Sequence, residues 1–352
     1  MIPRKLLVIY TGGTIGMMQA ADHSYLTPVD FQNIRRYLPE VDRLSCEIEF
    51  VSFGVPIDSS NMSPEIWIQM VELIEAQYDS FDGFVILHGT DTMAYTASAL
   101  SFMLEGLSKP VILTGAQLPV AVIRTDAREN LINTLEIAAN QQFSIPEVGV
   151  VFDAKMLRGN RCLKYSSETF QAFVSPLYPP LVQAGVDLEF FPEFWVPRTD
   201  APFQAHKKME TNVALIKFYP GIQKQMVCAL LNLPDMRGVV LETYGAGSLP
   251  DYPWLLDALK ERIDSGLVVL NNSQCPAGKV SQERYKNSNT LQSIGVLSGR
   301  DMTISAALTK LMYLLGRFDD VHEIKKNMVA DLRGELTINP LRIIHPPNRI
   351  TY

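Results

Sequence analysis

Short apolar runs alternate along the chain with longer segments whose apolar residues recur at helical spacing. Residues 6–10, 84–87, 111–113 and 148–152 are rich in Val, Ile and Leu, the composition of strands buried on both faces of a parallel sheet. Between them, Ser63-Pro64-Glu65 combines a helix cap, a proline suited to the first turn and an acid near the positive helix end. A helix is predicted to follow, because Ile66, Trp67, Met70, Val71 and Ile74 share one face until Asp82-Gly83 breaks the pattern. Residues 93–107 read as a second helix. The period fades over residues 187–212, where Phe-Phe-Pro-Glu-Phe-Trp-Val-Pro-Arg-Thr-Asp-Ala-Pro carries no regular spacing. It resumes with strands at 213–218, 238–243 and 267–270 and helices at 254–264 and 305–315. The expected architecture is α/β: a larger N-terminal parallel-sheet domain with helices on both faces (1–190), a linker (191–212) and a smaller C-terminal α/β domain (213–352). No internal repeat or low-complexity segment interrupts it.

Composition narrows the function. The 352 residues carry 47% hydrophobic content, enough for a full core and two domains, and a net charge of -7 without any run of Lys or Arg. Nucleic acid is therefore a poor partner. Residues 1–5 lead straight into the first apolar run, which is much shorter than the core of a signal peptide, and no apolar run reaches the roughly 20 residues that cross a bilayer. A soluble, cytoplasmic protein is expected, with no membrane partner. Cys46, Cys162, Cys228 and Cys275 lie far apart and read as reduced thiols, and the five histidines show no ligand spacing, so no metal is indicated.

In open parallel sheets ligands gather beyond the carboxyl ends of the strands. Three such places carry chemistry. After the first strand, Tyr10-Thr11-Gly12-Gly13-Thr14-Ile15-Gly16 lets the backbone turn tightly and present a hydroxyl, which makes Thr14 a candidate nucleophile. A strand-to-helix turn capped by threonines is the plainer reading, and a dinucleotide loop is disfavoured because the glycine spacing is wrong. After the strand at 84–87, His88-Gly89-Thr90-Asp91-Thr92 sets a hydroxyl beside a carboxylate. Asp91 or Thr92 alone could be a helix cap, yet a second Gly-Thr strand end suits two-step acyl transfer, with one hydroxyl attacking and the other positioning water. After the strand at 148–152 comes Arg158-Gly159-Asn160-Arg161-Cys162-Leu163-Lys164, where Lys164 is a surface charge unless buried beside Thr90 and Asp91; there desolvation would lower its pKa and make it a base. Asp58-Ser59-Ser60-Asn61 offers hydroxyls and backbone amides for an α-carboxylate or, more simply, a capped polar loop, and Tyr25 lies on a loop that could close over the site.

The pairing of Thr11-Gly12-Gly13-Thr14-Ile15-Gly16 with His88-Gly89-Thr90-Asp91-Thr92 resembles the bacterial L-asparaginases of the cytoplasmic, type I group. Asp58-Ser59-Ser60, residues 93–105, Arg158-Gly159-Asn160-Arg161 and Leu332-Arg333-Gly334-Glu335-Leu336-Thr337 extend the likeness over nearly the whole chain. The resemblance implies hydrolysis of the side-chain amide of L-asparagine to aspartate and ammonia, without a cofactor, by a homodimer or homotetramer. It also implies roles. Thr14 attacks the amide carbon with Tyr25 helping to take its proton; Thr90, Lys164 and Asp91 organise the hydrolytic water. Asp91 also holds the α-ammonium, and Asp58, Ser59 and Ser60 meet the α-carboxylate. Three positions depart from the family. Ser248 follows Tyr244-Gly245-Ala246-Gly247 where many relatives have asparagine, and Glu242 and Leu163 replace an arginine and a threonine of a regulatory asparagine site, although Cys275 is retained. Activation by asparagine is therefore expected to be absent or altered. The competing readings are a glutaminase or amidotransferase-type amidase of the same fold and a non-catalytic amino-acid sensor.

Overall fold

The first strand, β1 (Arg4–Gly12), is buried from Leu6 onward and lies between two parallel neighbours, β2 (Cys46–Ile57) and β3 (Gly83–Leu87). Beyond β3 come β4 (Val111–Thr114) and β5 (Val148–Phe152), also parallel, and then β6 (Lys155–Arg158), β7 (Val182–Ala184) and β8 (Leu188–Phe190) in antiparallel succession. The sheet order is β8-β7-β6-β5-β4-β3-β1-β2. The chain steps outward from β1 to β2, then crosses back to β3 on the other side. The winding direction reverses between β1 and β3, the kind of place beyond whose strand ends ligands gather in open parallel sheets. The computed structural model describes residues 2–19, 26–28, 38–281 and 286–338.

Phe84, Val85, Ile86 and Leu87 of β3 are all fully buried, as the unbroken apolar run requires of a central parallel strand. Each such side chain contributes about 1.5–3 kcal/mol of burial. β2 differs: Glu47 and Glu49 alternate outward with half-buried residues between them, which marks it as a sheet edge with one wet side. Helix α1 (Pro64–Gln77) buries Trp67, Met70, Val71 and Ile74, the expected face. Its Ser63 does not cap the helix through its side chain; the hydroxyl bonds Glu65 instead and holds that exposed carboxyl below its ordinary pKa. Helix α2 (Met93–Met103) is shorter than the predicted 93–107. It stops because Leu104–Glu105 pairs with Gln204–Ala205 and the Met103 carbonyl accepts the His206 N–H at 2.8 Å. Helix α3 (Ala127–Ala139), not foreseen from the apolar pattern, packs on β1, β3, β4 and β5.

β5 and β6 form a hairpin closed by Asp153 and Ala154, both at positive φ (48° and 58°). Arg158-Gly159-Asn160-Arg161 therefore follows the returning strand β6 rather than β5 itself, which corrects the expected placement. An alanine pays for the left-handed conformation that glycine adopts freely. Ala154→Gly is expected to stabilise the protein by about 0.5–1 kcal/mol, read as a higher chemical-denaturation midpoint; a lower midpoint would count against strain at this turn.

The chain divides into two units: Met1–Ser175 with Pro179–Lys207, and Pro176–Tyr178 with Lys208–Tyr352. In the second, β9 (Val213–Lys217), β10 (Gly238–Thr243), β11 (Val268–Ser273) and β12 (Leu297–Ser298) form a parallel sheet in that order. Its core includes Val227, Leu231, Val239, Leu241, Leu255, Leu259 and Val269. The segment 330–337 is fastened by fully buried Lys310, which pairs with fully buried Glu335 and donates to the Ala330 carbonyl at 2.5 Å. Burial opposes ionisation of Glu335, but the Lys310 charge and the N–H groups of Leu332 and Arg333 outweigh it and hold the carboxyl below its ordinary pKa. The resembling stretch Leu332–Thr337 is thus occupied with anchoring backbone. Leu163 lies in a short strand with Lys164, and Glu242 faces Lys217 at 3.3 Å.

Candidate active site

Thr14 stands just past the end of β1, on a single 3-10 turn, and is half-buried. The Tyr10 hydroxyl donates to the Gly16 carbonyl at 3.2 Å and the Gly16 N–H to the Gly13 carbonyl at 3.2 Å, which close the turn from inside. Burial pushes the Tyr10 phenol up to about 12, so it remains a donor rather than a base. The Thr11 hydroxyl reaches across to the Leu87 carbonyl at 2.9 Å and ties the end of β1 to the end of β3.

The two glycine-threonine turns meet through bare backbone. Gly13, at φ 88°, lies directly against the Gly89 N–H and Cα, and a Cβ on it would overlap them; a Cβ on Gly89 would overlap the Ser59 side chain. Thr14, Thr90 and Ser59 are thereby carried on three turns packed around one spot. The turn after β1 and the turn after β3 therefore lie against each other at the reversal of the sheet.

Thr90 is nearly buried, and the Lys164 ammonium donates to its hydroxyl at 2.8 Å and to the Asp91 carboxylate at 2.5 Å. Lys164 arrives from 74 residues away on the short strand Leu163–Lys164, paired with Phe173–Val174. Its side chain keeps 17% exposure, whereas the Asp91 side chain keeps 63%. The capping role open to Asp91 and Thr92 is not taken up by Thr92: its hydroxyl donates to the Ser59 carbonyl at 2.7 Å, binding the third turn to α2. Asp58 caps its own turn by accepting the Ser60 N–H at 2.9 Å; Ser59 is buried and Ser60 exposed. The predicted Tyr25 lies outside the described residues.

His88 serves the backbone. Trp67 Nε1–H donates to the Thr96 hydroxyl at 2.9 Å, the hydroxyl lies 2.9 Å from His88 Nε2, and Nδ1 faces the Gly89 carbonyl at 2.6 Å. A carbonyl only accepts, so Nδ1 carries the proton and Nε2 accepts from Thr96. Complete burial pushes the imidazole down to about 4, against the pull of the Gly89 carbonyl. As pH falls below about 6.5 the unfolded chain takes up a proton that folded His88 refuses, so stability should decline by up to ~1.4 kcal/mol per unit and level off below about 4. Melting curves across that range should show a shallower slope for His88→Asn than for the parent; identical slopes would remove His88 from the account.

Sequence reasoning missed Gln117, which lies just past the end of β4. Its N–H is held by both Asp126 carboxylate oxygens at 3.1 and 3.0 Å, and its side chain receives the Thr90 proton at 3.3 Å. The available signal was its position: Thr114-Gly115-Ala116-Gln117 is a third strand end beside the other two. Among the described residues no group of acidic, cysteine or histidine side chains could hold a metal ion, and no helix is long and apolar enough to cross a membrane.

Comparison with known proteins matches residues 5–195 to the family described as Asparaginase, N-terminal, and residues 212–328 to Glutaminase/Asparaginase C-terminal domain. L-asparaginase 1 of Escherichia coli is 43% identical over 337 residues, spanning 95% of this chain and 98% of that protein. The solved L-asparaginase I of Vibrio cholerae is 40% identical with a TM-score of 0.87, covering 96% of this chain and all (100%) of that one. The thermostable L-asparaginase of Thermococcus kodakarensis is 33% identical, also with a TM-score of 0.87, over 95% and 99% of the two chains.

Proposed function

This chain belongs to the asparaginase family of amidohydrolases, and from that premise we propose that it hydrolyses the side-chain amide of L-asparagine to aspartate and ammonia through an acyl-enzyme on Thr14. The observation that carries the reading is the Lys164 ammonium set between Thr90 and Asp91, on a turn whose glycine abuts the turn of Thr14. A threonine hydroxyl needs a base nearby and a donor for the charge that grows on the amide oxygen. The Tyr25 hydroxyl relays the Thr14 proton, passing its own on as it accepts the other, so that the amide nitrogen departs protonated as ammonia and an ester remains on Thr14. Thr90, Lys164 and Asp91 then hold the water that opens it, its proton returning to the Thr14 oxygen as the aspartate carboxyl is released. The peptide after Gly89 is trans and planar, and its carbonyl is claimed by His88, so the Thr90 N–H points the opposite way and serves as an oxyanion donor.

Asp91, largely solvated, holds the substrate's α-ammonium, while Ser59 and Ser60 meet its α-carboxylate. Asp58 is itself an anion and supports them by fixing the Ser60 N–H. We place the enzyme in the cytoplasm as a homodimer or homotetramer: all four cysteines are free thiols, and Ile123 (96% exposed) and Tyr165 (59%) leave apolar surface beside loops that Gln117 joins. Ammonia release from L-asparagine and L-glutamine, measured side by side, tests the substrate. One extra methylene in a fitted pocket should favour asparagine roughly ten- to hundredfold in kcat/KM; equal rates or faster glutamine turnover would transfer the assignment to a glutaminase.

A further inference from the structure

We propose that Gln117 is a positioning residue for the hydrolytic step, fixing the direction in which the Thr90 hydroxyl donates; this rests on the reading that Thr90 and Lys164 organise the attacking water. The turn bearing Gln117 is pinned. Asp126 accepts the N–H groups of Gln117 and Leu118, Asn130 donates to both Asp126 and the Gly115 carbonyl, and the Thr125 hydroxyl donates to the Leu118 carbonyl. The side-chain amide then spans two elements. Its Nε2 donates to the carbonyls of Ser166 and Thr169 at 3.4 and 3.2 Å, and its Oε1 lies 3.3 Å from the Thr90 hydroxyl.

The amide's orientation follows from chemistry. Backbone carbonyls only accept, so the nitrogen end must face the Ser166–Thr169 loop and the oxygen end must face Thr90. Lys164 has three protons to donate and no lone pair when charged, so toward Lys164 the Thr90 oxygen accepts. The single Thr90 proton goes to Gln117. One Thr90 lone pair is left for a water at the site. A water that donates a hydrogen to that lone pair keeps its own lone pair free for the ester carbon. An apolar side chain at 117 would release the Thr90 proton to swing toward the water and occupy its nucleophilic electrons.

Gln117 also joins Thr90 to the hairpin that carries Lys164. In that loop the Ser166 hydroxyl accepts the N–H groups of Glu168 and Thr169, and the Tyr165 backbone N–H donates to the Ala172 carbonyl at 2.7 Å. The three side-chain bonds of Gln117 are long, as catalytic hydrogen bonds often are before substrate arrives.

The full-length protein with Gln117→Met separates the two half-reactions. The expected result is a kcat for asparagine hydrolysis roughly ten- to hundredfold lower, with KM unchanged or lower as the aspartyl ester on Thr14 accumulates in acid-quenched samples. Hydroxylamine, which attacks without needing an aligned water, should form aspartyl hydroxamate at close to the parental rate in the same samples, showing an intact fold and intact acylation. Gln117→Glu should recover toward acid pH, where the protonated carboxyl restores one of the amide's two donors toward the loop and keeps an acceptor toward Thr90. Equal loss of hydrolysis and hydroxamate formation, or hydrolysis within twofold of the parent, overturns the proposal. Failure of the underlying reading shows separately, as undiminished ammonia release by Thr14→Ala.

Discussion

Thr14→Ala is expected to lower ammonia release from L-asparagine by about 10⁴-fold or more, because in the proposed mechanism its hydroxyl forms the acyl intermediate and without it the remaining groups can only hold substrate near water. The fold should be indifferent to the change. Thr14 is half-buried, and its turn is secured by the Tyr10 hydroxyl, the Thr11 hydroxyl and the Gly13–Gly89 contact, none of which uses the Thr14 side chain. A surface-type loss of ~0.5–1 kcal/mol is the most it should cost. Residual activity of some 10³-fold over free solution is still expected from oriented donors and binding alone. Ammonia measured by a coupled assay, alongside a melting curve of the same preparation, decides the matter. Activity within tenfold of the parent would mean that another group attacks.

The second large effect is expected at Lys164→Met, where kcat should fall roughly 10³-fold while KM moves only a few-fold. Stability and rate separate cleanly at this residue. Its partner Asp91 keeps a 63% exposed side chain, so water can solvate the carboxylate once the ammonium is gone, and the pair is worth less than about 1 kcal/mol to folding. What is lost is the donor at 2.8 Å that decides how the Thr90 oxygen is used. The contrast lies with Lys310, whose carboxylate partner is fully buried and would be stranded by the same substitution. Steady-state kinetics and thermal melting of Lys164→Met therefore give a sharp result: a large rise in KM at preserved kcat would make Lys164 a substrate contact and not part of the machinery.

Much of this was legible in the residues. The central strands announce themselves as unbroken apolar runs because parallel strands are buried on both faces, and the threonine motifs are conspicuous because each follows such a run. The edge strand Cys46–Ile57 was not read, since its glutamates break the run and its pairing is decided by β1 rather than by its own composition. The helix from Met93 is shorter than its apolar spacing, which continues past Met103, because the competing partner, Gln204–Ala205, lies about a hundred residues downstream and is invisible to any local window. The hairpin at Asp153–Ala154 was missed because neither residue is glycine. Gln117 went unnoticed for another reason: an amide has no pKa and no nucleophilicity, so nothing in its chemistry flags it until its neighbours are known.

Gly13 and Gly89 meet backbone to backbone, so the seam between the two threonine-bearing turns carries no side chain at either position. Such a seam presents fixed dipoles and offers no side chain to exchange. A change in which amide the enzyme accepts would then have to arise elsewhere than at these two glycines, which admit no gradual adjustment.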